Sequence, residues 1–183
     1  MEQRDINSRT RADTFGLRPD LYDALSGNMV KKTDLDSLLP NYGACTAPKA
    51  SGGVSNTWFP FTQPIGDMKG CHLYEGDGGG IVLDVVGMWE CITNIYVVNT
   101  GIIPGNATSK IELWSPEGQF VERQISRAIV GGNSGFPMVT QRAFVVDNPG
   151  YVIRSYVEKD SSISFSMVRN ESFMSASYKY KGL

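Results

Sequence analysis

From Val54 onward the chain repeats one pattern. Short apolar, β-branched or aromatic runs alternate with clusters of Gly, Pro, Asn and Ser. The runs lie at Ile81–Val86, Ile92–Val98, Lys110–Trp114, Gln119–Ser126, Met138–Val146 and Tyr151–Glu158. Between them fall Gly78-Gly79-Gly80 and the Gly101, Pro104, Gly105, Asn106 cluster. Near the end, Ser162, Ser164 and Ser166 alternate with Ile163, Phe165 and Met167, the period-2 signature of a strand with one dry and one wet face. With the aromatic Trp58-Phe59-Pro60-Phe61 segment, the pattern predicts about nine or ten strands spaced roughly ten residues apart. Such spacing predicts a mainly β chain folded as an antiparallel sandwich or barrel. The 20 Gly and 9 Pro in 183 residues fit many tight connections and exclude long helices.

Charge and composition exclude several functions. Lys+Arg 17 against Asp+Glu 19 gives a net charge of −2, so no basic field draws nucleic acid. No apolar stretch approaches the roughly 20 residues of a membrane span, and the run at Ile81–Met88 is interrupted by Asp84. The first ten residues lack the apolar core of a secretory signal, which predicts synthesis in a reducing cytoplasm. Three cysteines, Cys45, Cys71 and Cys91, contain no C-x-x-C pair and argue against a disulfide framework.

The N-terminal part reads differently. Residues 1 to about 14 are polar and charged, as expected of a flexible arm. Pro19–Leu25 places Leu21 and Leu25 on one helical face and stops at Gly27, while Thr33–Asp36 resembles a capping box ahead of Leu38, Leu39 and Pro40. Both helices are too short to stand alone. Asn41 to Gly53 reads as a linker. The expected division is an arm with two minimal helices over 1–45 and a β domain over 46–183.

Three groups of residues could carry chemistry. Gly132-Asn133-Ser134-Gly135-Phe136-Pro137 is similar to the nucleophile motif of chymotrypsin-like serine proteases, with His72 as base and Asp84 as orienting acid. It departs from that family at Asn133 and Phe136, and His72 sits in Gly70-Cys71-His72-Leu73 rather than the family's surround. We read the string as a turn, because Gly and Asn supply the positive φ a tight connection needs. A zinc site would have to combine Cys45, Cys71, His72 and Cys91, yet adjacent Cys71 and His72 point to opposite faces of a strand. Glu75–Gly80 reads as a hairpin loop rather than a calcium loop. No cofactor is expected, and no catalytic or metal residue is assigned. The aromatic side chains Trp58, Trp89 and Trp114 are candidate sugar contacts, with core packing as the competing role.

The layout as a whole resembles the appendage proteins of tailed bacteriophages: head fibres, tail-fibre tips and knobs. Met29–Pro40 is similar to their shaft-to-knob segments. Tyr151–Val157 followed by Ile163–Val168 is similar to the last strands of trimeric knobs of the tumour-necrosis-factor and complement type. The resemblance implies a jelly-roll β-sandwich assembled as a homotrimer on a virion. It further implies capsid or tail partners held through Phe15, Leu17, Leu21 and Leu25, with a host-surface glycan as a further partner. Met174, Tyr178 and Tyr180 alternate on the final segment and are the expected trimer-interface residues. The competing function on the same fold is a carbohydrate-binding module.

Overall fold

The computed structural model describes residues 40–48, 56–159, 165–167 and 171–180. The chain divides between Leu39 and Pro40, and all described residues belong to the 40–183 unit. The two expected helices, and Phe15, Leu17, Leu21 and Leu25 with them, lie outside the described residues.

Twelve strands follow one another: β1 (Tyr42–Thr46), β2 (Thr57–Trp58), β3 (Gln63–Pro64), β4 (Cys71–Leu73), β5 (Ile81–Leu83), β6 (Gly87–Asn99), β7 (Gly105–Trp114), β8 (Phe120–Val130), β9 (Ser134–Val146), β10 (Tyr151–Lys159), β11 (Phe165–Met167) and β12 (Phe173–Tyr180). The expected sandwich is present, and the strands beyond the expected nine or ten are short pieces such as β1 and β3. Sheet A runs β9, β6, β12, β1, β3, with β11 collinear with β12 along β6. Sheet B runs β4, β5, β10, β7, β8, with β2 beside β10 beyond the end of β5. All strand pairs are antiparallel.

Alternation explains the layering. In the 13 residues of β6, every odd-numbered side chain is buried, including Trp89, Cys91, Ile95 and Val97. They meet Ile111 and Leu113 of β7, Phe144 of β9, Ile153 of β10 and Met174 of β12 in one core between the sheets. Each such aliphatic or aromatic side chain contributes about 1.5–3 kcal/mol by leaving water. Polar side chains in this interior are satisfied: Thr140 donates to Ser109 at 3.2 Å and Ser155 to the Lys110 carbonyl at 3.0 Å. Buried Asn99 donates to the carbonyls of Ile103 and Val130 and accepts from the Gly101 amide, pinning the β6–β7 loop to β8.

Several expectations change here. Met174 is 0% exposed inside the sandwich, so it cannot contribute to an oligomer surface. Tyr178 faces the same way, packs edge-to-face on Trp89 at 5.4 Å and donates to the Val86 carbonyl at 3.3 Å. Period-2 alternation grouped these residues correctly but assigned the group to the wrong side. The backbone of Tyr180 closes β12 against Met88, and its side chain lies outside the described set. Trp89 is also 0% exposed, with its indole N–H given to the Val85 carbonyl at 2.8 Å, which removes it as a ligand contact. Finally, Tyr42–Thr46 is no linker: β1 pairs β12 on one side and β3 on the other, with Cys45 opposite Met174.

Candidate functional site

The outer face of sheet B concentrates aromatic and charged side chains. Register is the cause. Arg154 of β10 lies opposite Glu112 of β7, Val152 opposite Trp114, and Tyr156 opposite Lys110. On the other side of β10, Tyr156 pairs with Trp58 of β2. Trp58 thereby meets Trp114 edge-on at 5.7 Å and Tyr156 at 5.1 Å. The Arg154 guanidinium lies 3.8 Å from the Trp58 ring centre, with Tyr74 and Trp114 also within cation–π range at 5.4 and 5.8 Å. The 74–80 loop closes on this group. Gly78 has φ +77°, and a Cβ there would come 2.1 Å from Trp58 Cβ, so only glycine lets the loop approach. The carbonyl of neighbouring Asp77 accepts a hydrogen bond from Arg154 Nη2.

Beside Arg154 opens a cleft of about 180 Å³ lined by Tyr74, Trp114, Ser115, Pro116, Gly118, Val152 and Arg154. Glu112 is committed elsewhere: it accepts from the Trp114 indole N–H at 3.2 Å and pairs with Arg123 at 3.6 Å. Burial holds the Arg154 pKa below its ordinary value, with attraction from Tyr74, Asp77 and Glu112 opposing the shift. Sequence reading named Trp58 and Trp114 but missed Arg154. Its position in Tyr151–Glu158 put it on the Val152–Tyr156 face, and strand pairing alone brings the two tryptophans to it.

The outer face of sheet A is different. Val139 and Val145 of β9 are 55% and 65% exposed, and Phe173 of β12 is 37% exposed. Between them β6 presents Met88, Ile92, Tyr96 and Val98, all half-buried. Tyr96 lies across Gly135, where a Cβ would fall 2.3 Å from its hydroxyl oxygen. Asn94 sits between Val139 and Phe173 with its Oδ1 buried and unpartnered. Charge enters this face at Glu90, ion-paired with Lys179 and accepting from Gln141 at 2.7 Å. Those two hydrogen bonds hold the Glu90 carboxyl below its usual range.

The protease-like residues do not assemble. His72 Nδ1 contacts Asp84 Oδ2 at 2.8 Å on the β4 edge of sheet B. Ser134 stands where the chain crosses from β8 of sheet B to β9 of sheet A, beyond the opposite edge, across four strand spacings or roughly 19 Å of sheet. Its hydroxyl donates to the Gly131 carbonyl at 2.7 Å, and Asn133 has φ 50°, so Gly132 and Asn133 form the expected turn, while Ser134, Gly135, Phe136 and Pro137 already pair with β6 as the start of β9. Cys71 is buried while His72 is exposed, on opposite faces of β4. Burial pushes the Cys45 thiol up to about 12 and Cys71 to about 11, and raises Cys91 as well, which keeps all three protonated at neutral pH. Glu75–Gly80 is the loop of the β4–β5 hairpin. Among the described residues, no three His, Cys, Asp or Glu side chains cluster so as to hold a metal ion, and no helix is long and apolar enough to cross a membrane.

No family model matches the chain, and no curated protein matches it in sequence. Solved structures do match in fold. One is described as "Structure of Eiger TNF from S. frugiperda", with a TM-score of 0.59 at 9% identity, covering 79% of this chain and 96% of that one. The antiparallel sandwich is thus a jelly roll of tumour-necrosis-factor type. At that identity the likeness is one of fold, and function has to be argued from surfaces.

Proposed function

We propose that the chain is a structural, non-enzymatic protein that assembles as a homotrimer through the outer face of sheet A, forming a compact fibre or decoration appendage on a tailed-bacteriophage particle. The observation that carries the assembly is the pairing of exposed Val139, Val145 and Phe173 with a half-buried apolar β6 on one sheet face. A monomer would leave this area wet, and three copies around a closed axis cover it without leaving a sticky edge. The likeness to a tumour-necrosis-factor jelly roll supports the same arrangement. The virion role is supported by the layout: a charged, weakly apolar segment up to Leu39 precedes a sandwich that supplies its own core. In this reading Phe15, Leu17, Leu21 and Leu25 dock on capsid or tail proteins.

Light scattering tests the assembly, with a mass near three times 20.1 kDa expected across micromolar concentrations. A mass of one chain throughout rejects it. Co-sedimentation with particles lacking the protein tests the virion role. Full-length protein should bind, and protein beginning at Pro40 should not.

A second reading, a carbohydrate-binding surface, is favoured by one observation: sheet B gathers Trp58, Trp114 and Arg154 beside an open cleft. It is compatible with the first, since the two faces are on opposite sides of the sandwich.

A further inference from the structure

We infer that the cleft between Tyr74, Trp114 and Arg154 binds a sugar bearing a carboxylate, such as a hexuronic acid. This rests on the reading of sheet B's outer face as a sugar contact and is independent of trimer formation. The cleft has the size for one pyranose rather than an extended peptide, at about 180 Å³. Its walls offer two flat ring systems, Tyr74 and Trp114, against which the C–H faces of a sugar can lie. Ser115 and Gly118 complete the lining, in a turn held by the Gly118 amide on the Ser115 carbonyl at 2.9 Å.

Arg154 selects for the acid. It is the one charged side chain in the lining. Nη2 is given to the Asp77 carbonyl, while Nε is buried with no partner. Among the described residues no carboxylate lies within ion-pair distance of it, and Glu112, opposite it on β7, is held by Arg123 and the Trp114 indole. A guanidinium fork is shaped for two-point contact with a carboxylate along the edge that Nε shares with Nη2, and Nη2 carries a second hydrogen besides the one given to Asp77. Stacking on Trp58 fixes the plane from which the fork works. A neutral sugar would leave that donor unmet. A simple carboxylate would leave the aromatic walls uncovered.

The three tryptophans make the test direct, since Trp89 is an internal control with its indole N–H bound to Val85. The full chain is titrated at pH 7 with glucuronate, glucose and glutarate while the indole N–H resonances are followed by NMR. Glucuronate should shift the Trp114 signal saturably and leave Trp89 unmoved, with glucose and glutarate each at least 10-fold weaker. Arg154→Gln should bring glucuronate down to the level of glucose. Arg154→Lys, which keeps the charge and loses the fork, should retain part of the preference and serves where the Gln variant disturbs the Trp89 signal. Equal binding of glucose and glucuronate overturns the acid selectivity and leaves the sugar reading standing. Equal binding of glutarate and glucuronate overturns the sugar. If no probe moves Trp114, both readings of this face fall.

Discussion

The two outer faces of the sandwich are built on the same backbone plan and differ at their centres, although the β8 margin of sheet B also exposes Ile125 and Ile129. On sheet B, Arg123, Glu112 and Arg154 stand in one row across β8, β7 and β10, and Lys110 pairs with Glu158 beside Tyr156. On sheet A, the corresponding central strand β6 offers Met88, Ile92, Tyr96 and Val98, with Glu90 as its charge. A face with its own ion pairs and stacked rings is finished as a solvent surface or a ligand platform. A face of scattered valines and half-covered apolar side chains leaves apolar area in contact with water. The difference teaches that the sheets are not equivalent walls around a core: the centre of one is closed by rings and ion pairs, that of the other by half-buried apolar side chains.

The largest effect expected is on sheet A's integrity. Protein beginning at Pro40 should melt cooperatively, whereas protein beginning at Pro48 lacks β1, bares the flank of β12 and should lose its cooperative transition by circular dichroism. Equal melting of the two would mean that β1 is dispensable and that sheet A is narrower than it looks. Next comes a charge on each face. Val139→Glu should drop the light-scattering mass from that of three chains to one, and Thr108→Glu on sheet B should leave it unchanged; the reverse result would exchange the roles of the faces. A smaller effect separates the tryptophans. Trp58→Ala removes two edge-to-face contacts and the Arg154 stack, for a loss of about 1–2 kcal/mol, against about 3–5 kcal/mol for buried Trp89→Ala in urea unfolding.

The smallest effect is in acid. The Glu90 carboxyl lies below its ordinary value because of Lys179 and Gln141. A depressed carboxylate contributes stability above its unfolded pKa and loses it as pH falls through the folded one. Below about pH 4.5 the Lys179–Glu90 pair should weaken, and Glu90→Gln should flatten that part of the pH–stability curve slightly. An unchanged slope in Glu90→Gln would assign the acid limb to other carboxylates.

Much of this molecule can be read from local patterning. The apolar and β-branched runs at Ile92–Val98 and Tyr151–Glu158 announced strands, which extend to Gly87–Asn99 and Tyr151–Lys159, and the glycine clusters marked connections because positive φ is cheap only there. Alternation sorts side chains into two sets without saying which set goes inside. In β12 the sets are Phe173, Ser175, Ser177, Lys179 and Met174, Ala176, Tyr178. The second is internal because Met174 lies beside Cys45 on β1 while Tyr178 stacks on Trp89 of β6, contacts formed between segments more than eighty residues apart. Distance along the chain also hid the cleft. Trp58, Trp114 and Arg154 share no spacing, and pairing of β10 with β2 on one side and β7 on the other brings them together. β1 was hidden for a related reason: a short stretch holding Gly43 and Ala44 has weak strand propensity, and its place is set by the open edge of β12 that it completes.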